Sequence, residues 1–229
     1  MPGPGPGVCG ICRGPAAAGH AVCFSCRLVA RRLGLPSAPV VPARLCPLPS
    51  PLYTVLLGYK ESPVAEARLR FCAIVRALLR AFLLGDGDRL EGALGGHIDV
   101  VTLVPSTHRP GPAPLALVDG LAGDVTGALP AARWAPALVR RAYQPGGWPP
   151  LAHMRPDARA FTVPPPDRAA LRGARVLVLD DTYVSGARAQ SAAAALQRAG
   201  ARTVIGPLGR VLRPDRVPRH ADFLRQHVA

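Results

Sequence analysis

Apolar runs separated by short polar turns set out most of the chain. Residues 176–179 are aliphatic throughout, without polar alternation, the pattern of a parallel strand buried on both faces. Asp180 and Asp181 stand where that strand is expected to end. A small-residue turn, 182–188, follows, and an alanine-rich helix then runs to Gly200, a helix-stopping glycine. Residues 99–104 predict a second strand that delivers the polar turn 105–109. Residues 64–84 predict an amphipathic helix, with Phe71, Ile74, Val75, Leu78, Leu79 and Phe82 at helical spacing and Gly85-Asp86-Gly87 as its stop. Residues 52–59 are apolar and fit either a helix or a strand. Residues 113–128 predict a helix, and 137–143, 160–163 and 203–206 predict short strands. The basic tail, 210–229, is expected to end in a helix. Strands alternating with helices imply an α/β fold, a mostly parallel sheet flanked by helices. Residues 1–8 read as a disordered Pro/Gly tail and 9–34 as a small cysteine-bearing module. Residues 35–51, with six prolines, read as a linker over the surface, and 52–229 as the main domain.

Composition adds little to the fold and more to the partners. The chain has 229 residues, 49% of them hydrophobic, enough for one medium domain plus a small module. Net charge is +14, so polyanions are attracted. Lys60 is the single lysine; the remaining positive charge is arginine, which with abundant Ala, Pro and Gly fits a GC-rich coding bias. Aromatics are 5% and do not interleave with basic residues, so base-stacking or sequence-specific readout of nucleic acid is not expected. No run approaches the roughly 20 apolar residues of a membrane span, and the first residues lack the apolar core of a secretory signal. The expectation is a cytoplasmic protein with reduced thiols.

Two constellations carry chemistry. Cys9-x2-Cys12 and Cys23-x2-Cys26 form two knuckles ten residues apart. Each tight turn aims two sulfurs at one tetrahedral centre, which predicts a structural Zn2+ held by Cys9, Cys12, Cys23 and Cys26. His20 lies nearby, but four cysteines already close the site. Cys46 has no partner at metal spacing, and Cys72 reads as core. The second constellation is the strand, acidic pair, loop and helix around residues 175–200. Loop amides and a helix N-terminus receive an anion. The two carboxylates receive hydroxyls, or a metal ion that travels with a phosphate.

The second constellation resembles the phosphoribosyl-diphosphate (PRPP) motif of type I phosphoribosyltransferases. Asp180 and Asp181 match its acidic pair, and Ser185-Gly186-Ala187 its loop core. Val184 and Arg188 stand where that family usually has hydroxyl residues. Taken over the chain, the four cysteines, Tyr59-Lys60, Val104-Pro105 with Arg109, and the motif at 180–187 resemble ComF-type proteins. Those are phosphoribosyltransferase-like proteins associated with bacterial competence and DNA uptake. Gln144, Arg155 and Phe161 fit the family's middle segment loosely. The Arg-Gly-Phe-Asn-Gln type stretch that usually follows the family's Val-Pro is missing here.

The resemblance implies a type I phosphoribosyltransferase-like fold binding PRPP, or a related phosphorylated ribose ligand, with Mg2+. Asp180 and Asp181 would hold the ribose hydroxyls and favour an oxocarbenium-like centre. Thr182, Tyr183, Val184, Ser185, Gly186, Ala187 and Arg188 would wrap the 5′-phosphate. Pro105, Ser106 and Arg109 would meet the diphosphate. Two functions stay open. One is phosphoribosyl transfer to an unidentified acceptor. The other is a non-catalytic member that serves DNA uptake or regulation by binding single-stranded DNA, a nucleotide or competence proteins. Whether Tyr183 stacks on a ligand or packs inside is likewise open. Lys60 reads either as a family residue or as an ordinary surface charge.

Overall fold

Five strands lie side by side in the order β1 (Arg44–Pro47), β7 (Arg202–Leu212), β6 (Arg175–Tyr183), β2 (Val100–Leu103) and β3 (Arg133–Trp134), all parallel. The computed structural model describes residues 2–106, 112–141 and 155–227. The chain is thus α/β, a parallel sheet flanked by helices. No helix of the described residues is long and apolar enough to cross a membrane.

Alternation along the central strand β6 builds the two cores. Leu177 and Leu179 face one side, with α2 (Pro51–Glu61), α3 (Ala65–Leu94) and α4 (Leu121–Ala128) packed over them. Val176 and Val178 face the other, beneath α6 (Ala187–Arg198) and all four knuckle cysteines. Six of the nine buried α6 positions are alanines, so the helix lies close to the sheet. The cysteine module therefore shares a core with the sheet. Its helix, α1 (Phe24–Leu33), sets Val29 and Leu33 against Ala194 of α6.

Several elements depart from the sequence reading, and burial explains most of them. Residues 35–51 are not a surface linker. Ala38, Val40, Val41, Ala43 and Cys46 are buried, Val41 donates to the Ile205 carbonyl, and β1 pairs with β7. The prolines punctuate an edge strand, where a missing N–H is tolerated. The expected disordered tail is tied down by Val8, buried against Leu212 and Phe223. α3 runs through Gly85 and Gly87 to Leu94, because Leu90 and Leu94 continue the buried stripe of Leu79 and Leu83 beyond those glycines. Residues 52–59 resolve as helix, with Pro51 at the first position and Ser50 accepting from the Tyr53 N–H. The span 113–128 breaks at Gly120, leaving a 3-10 turn and α4. Of the span 137–143, the described residues 137–141 contribute β4 (Arg140–Arg141), antiparallel to β5 (Phe161–Thr162), which the single-turn helix α5 (Pro165–Arg168) follows. β7 is far longer than 203–206, since β6 on one side and β1 on the other support it to Leu212.

Candidate functional site

The acidic pair sits inside β6, past the point where β2 leaves it. Pairing with β2 ends at Leu103 with Leu179, and Val104 gives one further N–H to the Leu179 carbonyl. On the other side β7 accompanies β6 to Tyr183. β6 therefore runs four residues, Asp180 to Tyr183, beyond its β2 partner, on the side where Pro105 and Ser106 continue from the departing chain. That is a crevice at the carboxyl end of a parallel sheet, where α/β folds place ligands.

The two carboxylates have different surroundings. Asp181 is buried at 6% exposure. The Tyr59 hydroxyl donates to its Oδ2, and Lys60 Nζ sits 2.7 Å from the same oxygen. Thr182 Oγ1 donates to its Oδ1 at 3.0 Å. α2 thus ends by presenting Tyr59 and Lys60 to the acidic pair. Burial, with the Asp181 charge, pushes the Tyr59 phenol far above its usual range, so it stays a donor. Asp180 is only half-buried and accepts the Asp181 N–H at 3.0 Å. Lost hydration and the Asp181 charge push Asp180 up to about 8, against the pull of Lys60 and Arg188. Lys60 is therefore part of the site and not a bystander charge. Of the two carboxylates, Asp180 is the less engaged within the chain.

The turn 184–186 hands β6 to α6. Gly186 is the N-cap residue with φ +80°, and Ser185 Oγ accepts the Ala187 N–H at 3.3 Å. Tyr183 packs inside, 1% exposed, with its hydroxyl 3.3 Å from Gln190 Nε2. It offers no ring face to a ligand. Gln190 in turn clamps Ala38 by both backbone groups, at 2.9 and 2.8 Å. Val184 is exposed. Arg188 is partly buried near both carboxylates, and desolvation lowers its pKa against their attraction. A Cβ on Gly186 would clash with the buried Tyr183 hydroxyl. Gly186→Ala is expected to cost about 2 kcal/mol or more, read as a lower urea midpoint at constant slope.

The four cysteines form a candidate metal centre. Their sulfurs lie within 4.8 Å of one another, and all four residues are buried. Cys12 and Cys23 Sγ are 3.8 Å apart. A tetrahedron with Zn–S bonds of about 2.3 Å has edges of about 3.8 Å, so the spacing fits an ion and not a disulfide. Hydrogen bonding from Cys12, Cys23 and Cys26 pulls the Cys9 thiol down, while Cys12, Cys23 and Cys9 push Cys26 up. A central cation is what lets all four ionise together. His20 stands apart, paired with Arg27 at 3.0 Å.

Of the residues singled out from sequence, Asp180, Asp181 and Thr182 adjoin near the end of β6, Pro105 and Ser106 follow the end of the neighbouring β2, and the cysteines gather separately. Arg109 and Gln144 lie outside the described residues. A cavity of about 310 Å3 opens beside Pro105 and Ser106, bounded by Ala113, Pro136, Val139 and Arg140. Sequence reasoning missed Arg210, whose guanidinium lies between the two constellations. Its one signal is an arginine inside the otherwise apolar run 204–212.

No family model matches the chain, and no curated protein is similar to it at a significant level.

Proposed function

We propose that the crevice binds PRPP or a related phosphorylated ribose ligand, as the resemblance to ComF-type phosphoribosyltransferase-like proteins implies. One observation carries the reading. Two adjacent carboxylates, one clamped by Tyr59 and Lys60 and one partly open, flank a glycine-capped helix N-terminus at the free end of β6. Vicinal hydroxyls suit the open carboxylate, and a 5′-phosphate suits the amides of 185–188. Mg2+ accompanying the diphosphate would supply charge neutralisation there. Asp180 and Asp181 would orient the ribose and stabilise positive charge growing at its anomeric carbon. The cavity beside Ser106 leaves room for an acceptor. Zn2+ at the four cysteines is structural in this reading, because four protein ligands leave no open position.

A second reading has an observation of its own. The acidic pair already faces two cations, Lys60 and Arg188, and the loop presents Val184 where a hydroxyl donor would help. These features favour a member that binds its ligand without efficient turnover. Single-stranded DNA or competence proteins would then be its partners.

Thermal unfolding separates ligand binding from its absence. PRPP with Mg2+ at about a hundred times its Kd should raise Tm by roughly 5–10 °C, through about 2.7 kcal/mol of linkage. An unchanged Tm at millimolar PRPP contradicts the proposal.

A further inference from the structure

Arg210 is an unusual group in this fold. It lies on β7 at 5% exposure, opposite Tyr183 of β6. Among the described residues no carboxylate forms an ion pair with it. A buried cation without a counter-ion is costly, so its neighbours must account for it. One nitrogen, Nη1, donates to the carbonyls of Tyr183, Val184 and Val211 at 3.0, 2.8 and 2.8 Å. The other, Nη2, donates to Cys12 Sγ at 3.6 Å. The guanidinium also lies 5.4 Å from the centroid of the Tyr183 ring. Gly14, in the cysteine module, makes room for it: a Cβ there would meet Nη2 at 2.7 Å.

The chemistry of the donor set supplies the missing counter-charge. Four thiolates around one divalent ion leave a centre that is net negative. Outer-shell N–H donors to ligating sulfurs tune and retain such a centre. Arg210 thus faces an anion on one side and the two carbonyls that open the 184–186 turn on the other.

We propose that Arg210 is a positioning residue that couples the four-cysteine metal centre to the conformation of the turn between β6 and α6. The functional meaning of this coupling rests on the reading of 182–188 as a phosphate loop; the coupling itself does not. With the metal in place, Arg210 is held by the thiolates and anchors the Tyr183 and Val184 carbonyls. Loss of the metal removes the counter-charge, releases the guanidinium and loosens the turn. Ligand affinity at the crevice then depends on a metal that touches no ligand.

Hydrogen exchange on the full zinc-loaded chain tests this, with Arg210→Met, Arg210→Lys and Gly14→Ala beside wild type. Metal retention is read by zinc transfer to a coloured chelator. Chelation of wild type should speed exchange across 182–187 about tenfold or more beyond any change across 100–103, which reads the overall loss of stability. Arg210→Met should show the fast turn with metal still bound, and should release zinc about tenfold faster or more. Arg210→Lys should restore part of both. Gly14→Ala, which displaces the guanidinium without deleting it, should reproduce the Met variant and covers the case in which that variant fails to fold. Unchanged exchange in 182–187 on chelation of wild type overturns the coupling. So does an Arg210→Met or Gly14→Ala chain with wild-type exchange and zinc release. Failure of wild type to bind PRPP, with the exchange response present, removes the proposed ligand and leaves the coupling standing. Wild-type PRPP affinity in Arg210→Met overturns the dependence of ligand affinity on the metal and leaves the ligand.

Discussion

Cys26→Ser should lose the bound metal and unfold about 10 °C below wild type or lower. The cysteines are not an appendage whose loss would spare the sheet. They belong to the same buried cluster as Val176, Val178, Ile205 and the alanine face of α6. The module is also stitched to the sheet by backbone, with Val40 donating to the Ile11 carbonyl and Val41 to the Ile205 carbonyl. Serine is a poor ligand for a soft tetrahedral site, and three remaining thiols at 0–8% exposure would have to ionise or stay protonated without a closed centre. Metal-binding free energy is folding free energy for such modules, so a loss of about 4 kcal/mol is modest, and it corresponds to roughly 8–16 °C at this chain length. Metal analysis and calorimetry check the two halves. About one metal per chain retained, with Tm within about 2 °C of wild type, contradicts the assignment.

Asp180→Asn and Asp181→Asn should shift stability in opposite directions although they are neighbours. Asp180 has its folded pKa pushed up to about 8, well above the unfolded carboxylate range near 3.9. The folded state therefore binds more protons than the unfolded one between about pH 4 and 8. Wild-type stability falls as pH rises through that window and levels off above it. An amide carries no such charge. After discounting for the partial exposure of Asp180, Asp180→Asn should raise Tm by about 2–4 °C at pH 8 and by little at pH 4. Asp181 is already compensated by the Tyr59 hydroxyl and by Lys60 at 2.7 Å. Asp181→Asn leaves a partly buried lysine against an amide, at a cost of about 2 kcal/mol. A charge held at the expense of stability is what a binding site requires, so Asp180→Asn should also weaken a phosphorylated ribose ligand despite its firmer fold. An effect of Asp180→Asn that is the same at pH 4 and pH 8, or a destabilised Asp180→Asn at pH 8, would show that the carboxylate is not strained.

The same two residues show how far sequence alone reaches. The aliphatic run 176–179 located the central strand because burial on both faces leaves no polar alternation to read. The pair Asp180-Asp181 marked the crevice for the same reason, since two carboxylates interrupt that run. What local pattern cannot carry is the partner from another element. Lys60 looks like a surface charge until α2 brings it to Asp181. Prolines at 36–51 look like a linker until β7 offers them an edge. Gly85 and Gly87 look like a stop until the leucines beyond them find a core. Arg210 had no local explanation because its meaning lies in Cys12 and Val184, far away in the chain. The two cysteine knuckles were legible because metal spacing is a local rule, whereas their burial against α6 was not.

The central claim is that Asp180 and Asp181 face a phosphorylated ribose ligand. Titration calorimetry with PRPP, with and without Mg2+, tests it on wild type and on the Asp180→Asn/Asp181→Asn double variant, after its fold is checked by circular dichroism. The account predicts saturable heat in wild type that the double variant loses by at least about a hundredfold in affinity, or about 2.7 kcal/mol. No heat from wild type at millimolar PRPP, together with salt-sensitive binding of single-stranded DNA, would contradict it.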